Sequence, residues 1–264
     1  MTTILDIQRK YQQHEKITMV TCYDYWTASI LADTTVDSLL VGDSLAMVMY
    51  GHKNTLAATI DMMAQHTAAV ARGAGDKFIV ADMPFLSYRK SLDYIMSCVE
   101  QLIQAGAHAI KLEGADSNNS DVIQHIVSSG VPVMGHLGMT PQSINQFGGF
   151  RVQGKDQKAA NDLLAQAKIL ETSGCFAMVL ECMPPQVANA ITDQINIPTI
   201  GIGAGSDVSG QILVLHDLLG VQNEFLPKFV KKYTDGYDII LNATNQYSLE
   251  VRSATFPGPE HAYG

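Results

Sequence analysis

The chain has 264 residues, 47% of them hydrophobic and 16% charged, with a formal net charge of −9. That length can bury a large core and matches the usual size of one α/β barrel, and the composition excludes a disordered chain. The acidic balance argues against a nucleic-acid groove or an anionic membrane surface as partner, so an anionic substrate needs a locally cationic pocket or a bound metal.

The N-terminal residues reach Asp6 almost at once, with no basic stretch leading into an apolar one, so no signal peptide is expected. No apolar run is long enough to cross a bilayer. The four cysteines, Cys22, Cys98, Cys175 and Cys182, form no C-x-x-C pair and read as buried thiols of a reduced compartment. The expectation is a cytoplasmic protein with neither a nucleic acid nor a membrane as partner.

Along the chain, short apolar runs alternate with amphipathic stretches. The runs are 17–22, 38–41, 78–81, 107–112, 131–134, 176–180, 199–202 and 212–215. Bounded by Gly, Asp or Pro, they suit strands buried on both faces of a parallel sheet, and eight is the number that closes a barrel. Between them, Leu92, Ile95, Met96, Val99, Leu102 and Ile103 repeat at helical spacing from Ser91 to Gly106. Similar helices are predicted between Ser120 and Gly130, through Leu163–Leu170 up to Gly174, and after Pro184-Pro185. The fold class expected is α/β, a (βα)8 TIM barrel over 1–264 as one domain with a short N-terminal segment and a C-terminal helical tail. A doubly wound open sheet is the alternative, since periodicity does not show closure.

Polar groups gather at the C-terminal ends of these runs, the face where α/β barrels carry their active sites. They are Tyr23-Asp24, Gly42-Asp43-Ser44, Asp82, Lys111 with Glu113, His136, Glu181, Gly203-Ala204-Gly205 and His216-Asp217. Burying so many charges costs several kcal/mol each unless they are paired or metal-bound. Lys111 and Glu113, two apart on a strand, share a face, as catalytic groups or as an internal ion pair. Asp43 and Asp82 end neighbouring strands, about 4.8 Å apart. They suit magnesium, which takes few protein carboxylates and keeps waters for substrate to displace. The bland reading is that each Asp caps the next helix or turn. Glu181 is the candidate general base, His136 a substrate-binding or structural donor, and Cys182 a core residue facing away. The run 201–205 has neither dinucleotide nor Walker spacing; it admits an anion or makes a tight turn.

At this point the segments Val-Gly-Asp-Ser-Leu (41–45), Ala-Asp-Met-Pro-Phe (81–85), Lys-Leu-Glu-Gly (111–114), Gly-His-Leu-Gly-Met-Thr-Pro-Gln-Ser (135–143), Gly-Gly-Phe-Arg-Val-Gln-Gly (148–154) and Gly-Ile-Gly-Ala-Gly (201–205) resemble the ketopantoate hydroxymethyltransferase family. Matching pieces run from Val20 to His261, and the stretch 135–154 is the most specific. The chain departs from the family pattern at Ala46 and Ser209, where relatives commonly have Gly and Asp. The resemblance implies a barrel of the phosphoenolpyruvate/pyruvate-binding superfamily and a homo-oligomer, a decamer. It implies transfer of a hydroxymethyl group from 5,10-methylenetetrahydrofolate to 3-methyl-2-oxobutanoate, giving 2-dehydropantoate for pantothenate synthesis. Carried over by position, Asp43 and Asp82 bind magnesium and Glu113 acts at the metal, directly or through water. Asp43, Ser44, Asp82, Lys111 and His136 hold the oxo acid, and Glu181 abstracts the proton to give an enolate stabilised by Mg2+.

Two other classes compete. A lyase of the same superfamily needs the metal but no folate, and such lyases often place a Cys in a mobile loop; no Cys here lies in an evident loop. A non-catalytic barrel that binds a metabolite or scaffolds an assembly predicts loss of the base or the metal ligands, and all are present.

Overall fold

In the computed structural model, residues 2–222 and 226–263 are described. The apolar runs form eight strands: β1 (Ile17–Thr21), β2 (Ser38–Val41), β3 (Phe78–Asp82), β4 (Ala109–Lys111), β5 (Val133–Gly138), β6 (Ala177–Glu181), β7 (Thr199–Ile202) and β8 (Gly210–Leu213). Each pairs in parallel with its neighbours, and β8 pairs back on β1, so the sheet closes into a barrel and the open-sheet alternative falls. The last strand begins two residues earlier than its apolar run. Gly210 opposes Ile17, and a methyl group there would lie 2.2 Å from the Ile17 carbonyl oxygen, so close backbone approach places this strand.

The helices are α1 (Ile4–Gln12), α2 (Tyr25–Ala32), the single turn α3 (Leu45–Val48), α4 (Ile60–Gly73), α5 (Leu92–Gln104), α6 (Ser117–Ser128), the single turn α7 (Ile144–Phe147), α8 (Gln157–Thr172) and α9 (Pro185–Thr192). Asp or Thr caps most of the long ones. Asp24 accepts from the Thr27 N–H, Thr59 from Met62, Asp116 from Asn119 and Asp156 from Ala159. Asp24, predicted among the polar groups at the strand ends, is thus a helix cap. The chain divides into two compact units, Met1–Leu213 and Val214–Gly264. The second holds α10 (Leu215–Leu218) and α11 (Gly236–Arg252). His216 and Asp217 lie in α10 and do not close a strand, because the chain leaves β8 at Leu213.

Period-two alternation sets what fills the barrel. Ile17 and Met19 of β1, Leu40 of β2, Phe78 and Val80 of β3, Ala109 of β4, Met134 of β5, Ala177 and Val179 of β6, Ile200 of β7 and Ile212 of β8 form one buried cluster, joined by Ile7 of α1. Each fully buried large side chain contributes about 1.5–3 kcal/mol. Two further residues along β3, β4, β5 and β6 the same alternation reaches Asp82, Lys111, His136 and Glu181. The apolar core and the polar cluster are successive layers of one interior. Among the described residues no helix is long and apolar enough to cross a membrane.

Candidate active site

The strand ends deliver Asp43, Asp82, Lys111, Glu113 and His136 to one buried cluster. Parallel register puts Asp82 opposite Lys111, and Lys111 Nζ lies 3.0 Å from Asp82 Oδ1. The Asp43 N–H donates to Asp82 Oδ2 at 3.0 Å, so the two aspartates are neighbours and neither is spent on a helix cap. Close approach requires Gly42: a methyl there would lie 2.8 Å from Ser44 Oγ and 3.6 Å from Asp82 Oδ2. Ser44 is half-buried, and its hydroxyl lies 2.8 Å from the Tyr23 hydroxyl.

His136 joins the remaining groups. Its Nδ1 lies 3.3 Å from Glu113 Oε1 and 3.3 Å from Lys111 Nζ, and its Nε2 lies 3.2 Å from Glu181 Oε2. Burial and the Lys111 charge push the imidazole down, but the contacts to Glu113 and Glu181 outweigh them and raise its pKa to about 9. Nδ1 of His136 thus lies between Glu113 and Lys111, and Nε2 faces Glu181 off hydrogen-bond alignment. The Glu181 side chain keeps 16% of its surface exposed against 3% for Glu113, so Glu181 is the more open of the two. Its surroundings are not apolar, since His136 faces it. Gly138 pairs with Glu181 across β5 and β6.

Burial, then the charges of Asp82 and Glu113, drive the proton affinity of Asp43 well up. Asp82 is raised by burial, against the pull of Lys111. Burial opposes the Glu113 anion too, yet His136 and Lys111 hold its pKa down. Lys111 is raised, because the three carboxylates outweigh its own burial. The carboxyl groups of Asp43, Asp82, Glu113 and Glu181 thus gather around Lys111 and His136. Burial and mutual repulsion raise Asp43 and Asp82, so the site is short of positive charge, which a divalent cation would supply. The contacts at Asp82 Oδ1 and Glu113 Oε1 are also off hydrogen-bond alignment, leaving hard oxygen acceptors incompletely satisfied. Among the described residues no three His, Cys, Asp or Glu side chains form a ready-made cage. Two neighbouring aspartates with a carboxylate behind them fit magnesium, which demands few protein ligands.

Four expectations take a sharper form. Cys182 does not continue the strand as core; it is half-buried in the turn after β6 with φ 48°. In the run 201–205 the first two residues end β7 and 203–205 turn, with positive φ at Gly203 and Gly205 and room at Gly205 only for hydrogen, since a methyl would meet Pro185 at 2.7 Å. Ala46 is fully buried, and Ser209 ties β7 to β8 by accepting from the Thr199 N–H at 3.1 Å. Two buried residues were missed, Gln142 and Tyr88. Gln142 follows β5 in the 3-10 turn Pro141–Ser143 and contacts Asp43 and Glu113; Tyr88 donates to it at 2.7 Å. Their only signal is that Gln142 falls inside the 135–143 motif.

A family model described as ketopantoate hydroxymethyltransferase matches residues 1–259. The chain is 58% identical over 259 residues to a Coxiella burnetii protein named 3-methyl-2-oxobutanoate hydroxymethyltransferase, covering 98% of this chain and 97% of that one. A Bdellovibrio bacteriovorus protein of the same name is 56% identical over the full length of both. A Francisella tularensis subsp. novicida protein, again of that name, is 57% identical over 100% and 99%. Among solved structures, phosphonopyruvate hydrolase in complex with oxalate and Mg2+ superposes with a TM-score of 0.64 at 11% identity, covering 99% of this chain and 93% of that one. A 2,3-dimethylmalate lyase of the PEP mutase/isocitrate lyase superfamily gives 0.62 at 12%, covering 100% and 92%. At such identities the structures share the barrel fold, whereas the full-length sequence match is decisive for the family: the chain belongs to the ketopantoate hydroxymethyltransferase family.

Proposed function

We propose that this enzyme transfers a hydroxymethyl group from 5,10-methylenetetrahydrofolate to 3-methyl-2-oxobutanoate, giving 2-dehydropantoate for pantothenate synthesis. The observation that carries the chemistry is the layer of ionisable groups closing the barrel, with Glu181 its accessible carboxylate. Asp43 and Asp82 would hold magnesium, with Glu113 acting at it, and the ion would polarise the 2-oxo group so that the neighbouring C–H becomes acidic. Lys111, 3.0 Å from Asp82, would offset the substrate carboxylate, and the Ser44 hydroxyl, 2.8 Å from that of Tyr23, would bond it. Glu181 takes the proton from C3 of the oxo acid. His136, itself a candidate substrate donor, lies 3.2 Å from Glu181 Oε2 and would orient the base. The carbon so freed forms a bond to the one-carbon unit of the folate, whose two carbon–nitrogen bonds break; water supplies the hydroxyl oxygen of the product, and one proton from water and the one taken from C3 leave on tetrahydrofolate.

The same reading places the enzyme in the cytoplasm and makes it a homo-oligomer, the decamer that the family resemblance implies. Exposed apolar side chains on α2 and α11, among them Trp26, Ile30, Ile240 and Tyr247, support self-association.

Deuterium exchange at C3 of 3-methyl-2-oxobutanoate, followed by NMR with Mg2+ and without folate, tests the proton-abstraction step. Wild type should exchange in a Mg2+-dependent way, and Glu181→Gln should lose about 10²-fold or more of the rate. If folded wild type neither exchanges nor forms product when methylenetetrahydrofolate is added, the assigned substrate is wrong.

A further inference from the structure

Gln142 uses all three of its N–H donors and its amide oxygen in hydrogen bonds around the site, although no step of the proposed reaction needs it. It is buried at the C-terminal end of the barrel. Its backbone N–H donates to Glu113 Oε2 at 3.0 Å. The two hydrogens of Nε2 go to Asp43 Oδ2 at 2.8 Å and to the Met83 carbonyl oxygen at 3.0 Å. Oε1 accepts from the Tyr88 hydroxyl at 2.7 Å. Main-chain and side-chain groups of one residue thus hold two carboxylates that come from different strands.

The orientation of the amide is over-determined. A carbonyl oxygen only accepts, so Met83 demands the NH2 side, and the Tyr88 hydroxyl fills the oxygen side. Turned over, the amide would set its oxygen against both Met83 O and the Asp43 carboxylate. A residue needed only to fill space would not require this, since Leu or Met occupies a similar volume without unpaired polar atoms.

We infer that Gln142, its amide oriented by Met83 and Tyr88, is a positioning residue that fixes Asp43 and Glu113 in one arrangement for the divalent cation and the oxo acid. This rests on the magnesium reading above. Side-chain substitution separates the two arms, because the backbone N–H to Glu113 survives it while the donor to Asp43 is lost. Tyr88→Phe is gentler still: it removes the hydroxyl that holds the amide oxygen at 2.7 Å and reaches the Glu113 carbonyl oxygen only at 3.5 Å.

The test is calorimetric titration of the substrate-free full-length protein with MgCl2, together with kcat and KM for 3-methyl-2-oxobutanoate. Gln142→Leu should weaken Mg2+ binding by about ten- to hundredfold, the usual effect of removing a group that orients a metal ligand. Tyr88→Phe should weaken it in the same direction by about two- to tenfold, one hydrogen bond's worth. Both should lower kcat by more than they raise KM once Mg2+ is saturating. A folded Gln142→Leu that binds Mg2+ as wild type does, or a wild-type Tyr88→Phe if the leucine variant does not fold, overturns the positioning role and leaves the magnesium reading standing. Wild type that binds no Mg2+ overturns both.

Discussion

At Gly138 the chain leaves β5 with φ 94° and comes so close to β6 that an added methyl would lie 2.1 Å from the Glu181 carbonyl oxygen and 2.9 Å from the Met183 side chain. The Met139 N–H donates to that same carbonyl at 2.9 Å. Glu181 is therefore aimed partly by a neighbour that lacks a side chain. Gly138→Ala meets two penalties, a left-handed backbone that disfavours a Cβ and an overlap with main chain that cannot swing away. Together they should cost about 2–5 kcal/mol of stability. The folded fraction should keep its substrate KM within a few-fold and lose exchange rate, because Asp43, Ser44, Asp82 and Lys111 stand at other strands and only His136 shares β5 with Gly138. Thermal unfolding and the C3 exchange assay check this, and an alanine variant with wild-type melting would show that the loop relaxes freely. From sequence, the period of two made Lys111 and Glu113 legible as sharing a face, and the ends of the apolar runs marked Asp82 and Glu181. It could not reveal Gln142, whose partner Asp43 lies 99 residues away and which stands in a turn with no period.

Among the elements, α6 shows how a helix start supports the site. Its amphipathic pattern becomes visible only from Val122, so the polar residues Ser117, Asn118 and Asn119 read as loop before Ser120. The structure starts the helix at Ser117 with Asp116 as its cap, accepting from the Asn119 N–H at 3.0 Å and meeting Arg89 Nη1 at 2.6 Å. Asn119 is fully buried, and its amide donates at 2.7 Å to the carbonyl oxygen of Glu113. The cap thus steadies the backbone that carries a site carboxylate. Burial raises the proton affinity of Asp116, but the Asn119 N–H and Arg89 outweigh it, and its pKa falls below the ordinary 3.8. A carboxylate lowered on folding stabilises above its unfolded pKa and ceases to do so as pH falls through its folded value. Asp116→Ala should therefore cost about 1 kcal/mol near neutral pH, the usual cost of losing an N-cap. Below pH 3.8 that difference from wild type should shrink; Arg89 adds little because the pair is largely exposed. Denaturant melts at both pH values measure it, and a gap that widened in acid would contradict the assignment.

For the whole molecule, the strands and most long helices could be read because local patterns set them, whereas barrel closure depends on β8 meeting β1 at a glycine that the apolar pattern skipped. Assembly is less local again. On α11 the residues Tyr237, Ile240, Leu241, Tyr247 and Val251 recur at helical spacing, and all are exposed. Left in water, such a stripe forgoes about 25 cal/mol for each Å² that an equivalent helix could cover, and monomers rarely leave patches of this kind open. A second copy of the chain carries the same stripe, so a two-fold pairing buries both at once. Sedimentation velocity at micromolar concentration should give a mass well above that of one chain. Ile240→Asp with Tyr247→Asp places two charges on the stripe and should move the distribution to smaller species. Asn242→Asp, on the opposite side of the same helix, adds a charge without touching the stripe and should leave the distribution unchanged. Wild type that sediments as a single chain would refute the oligomer. Equal dissociation by both variants would show that charge, and not the apolar face, governs the assembly.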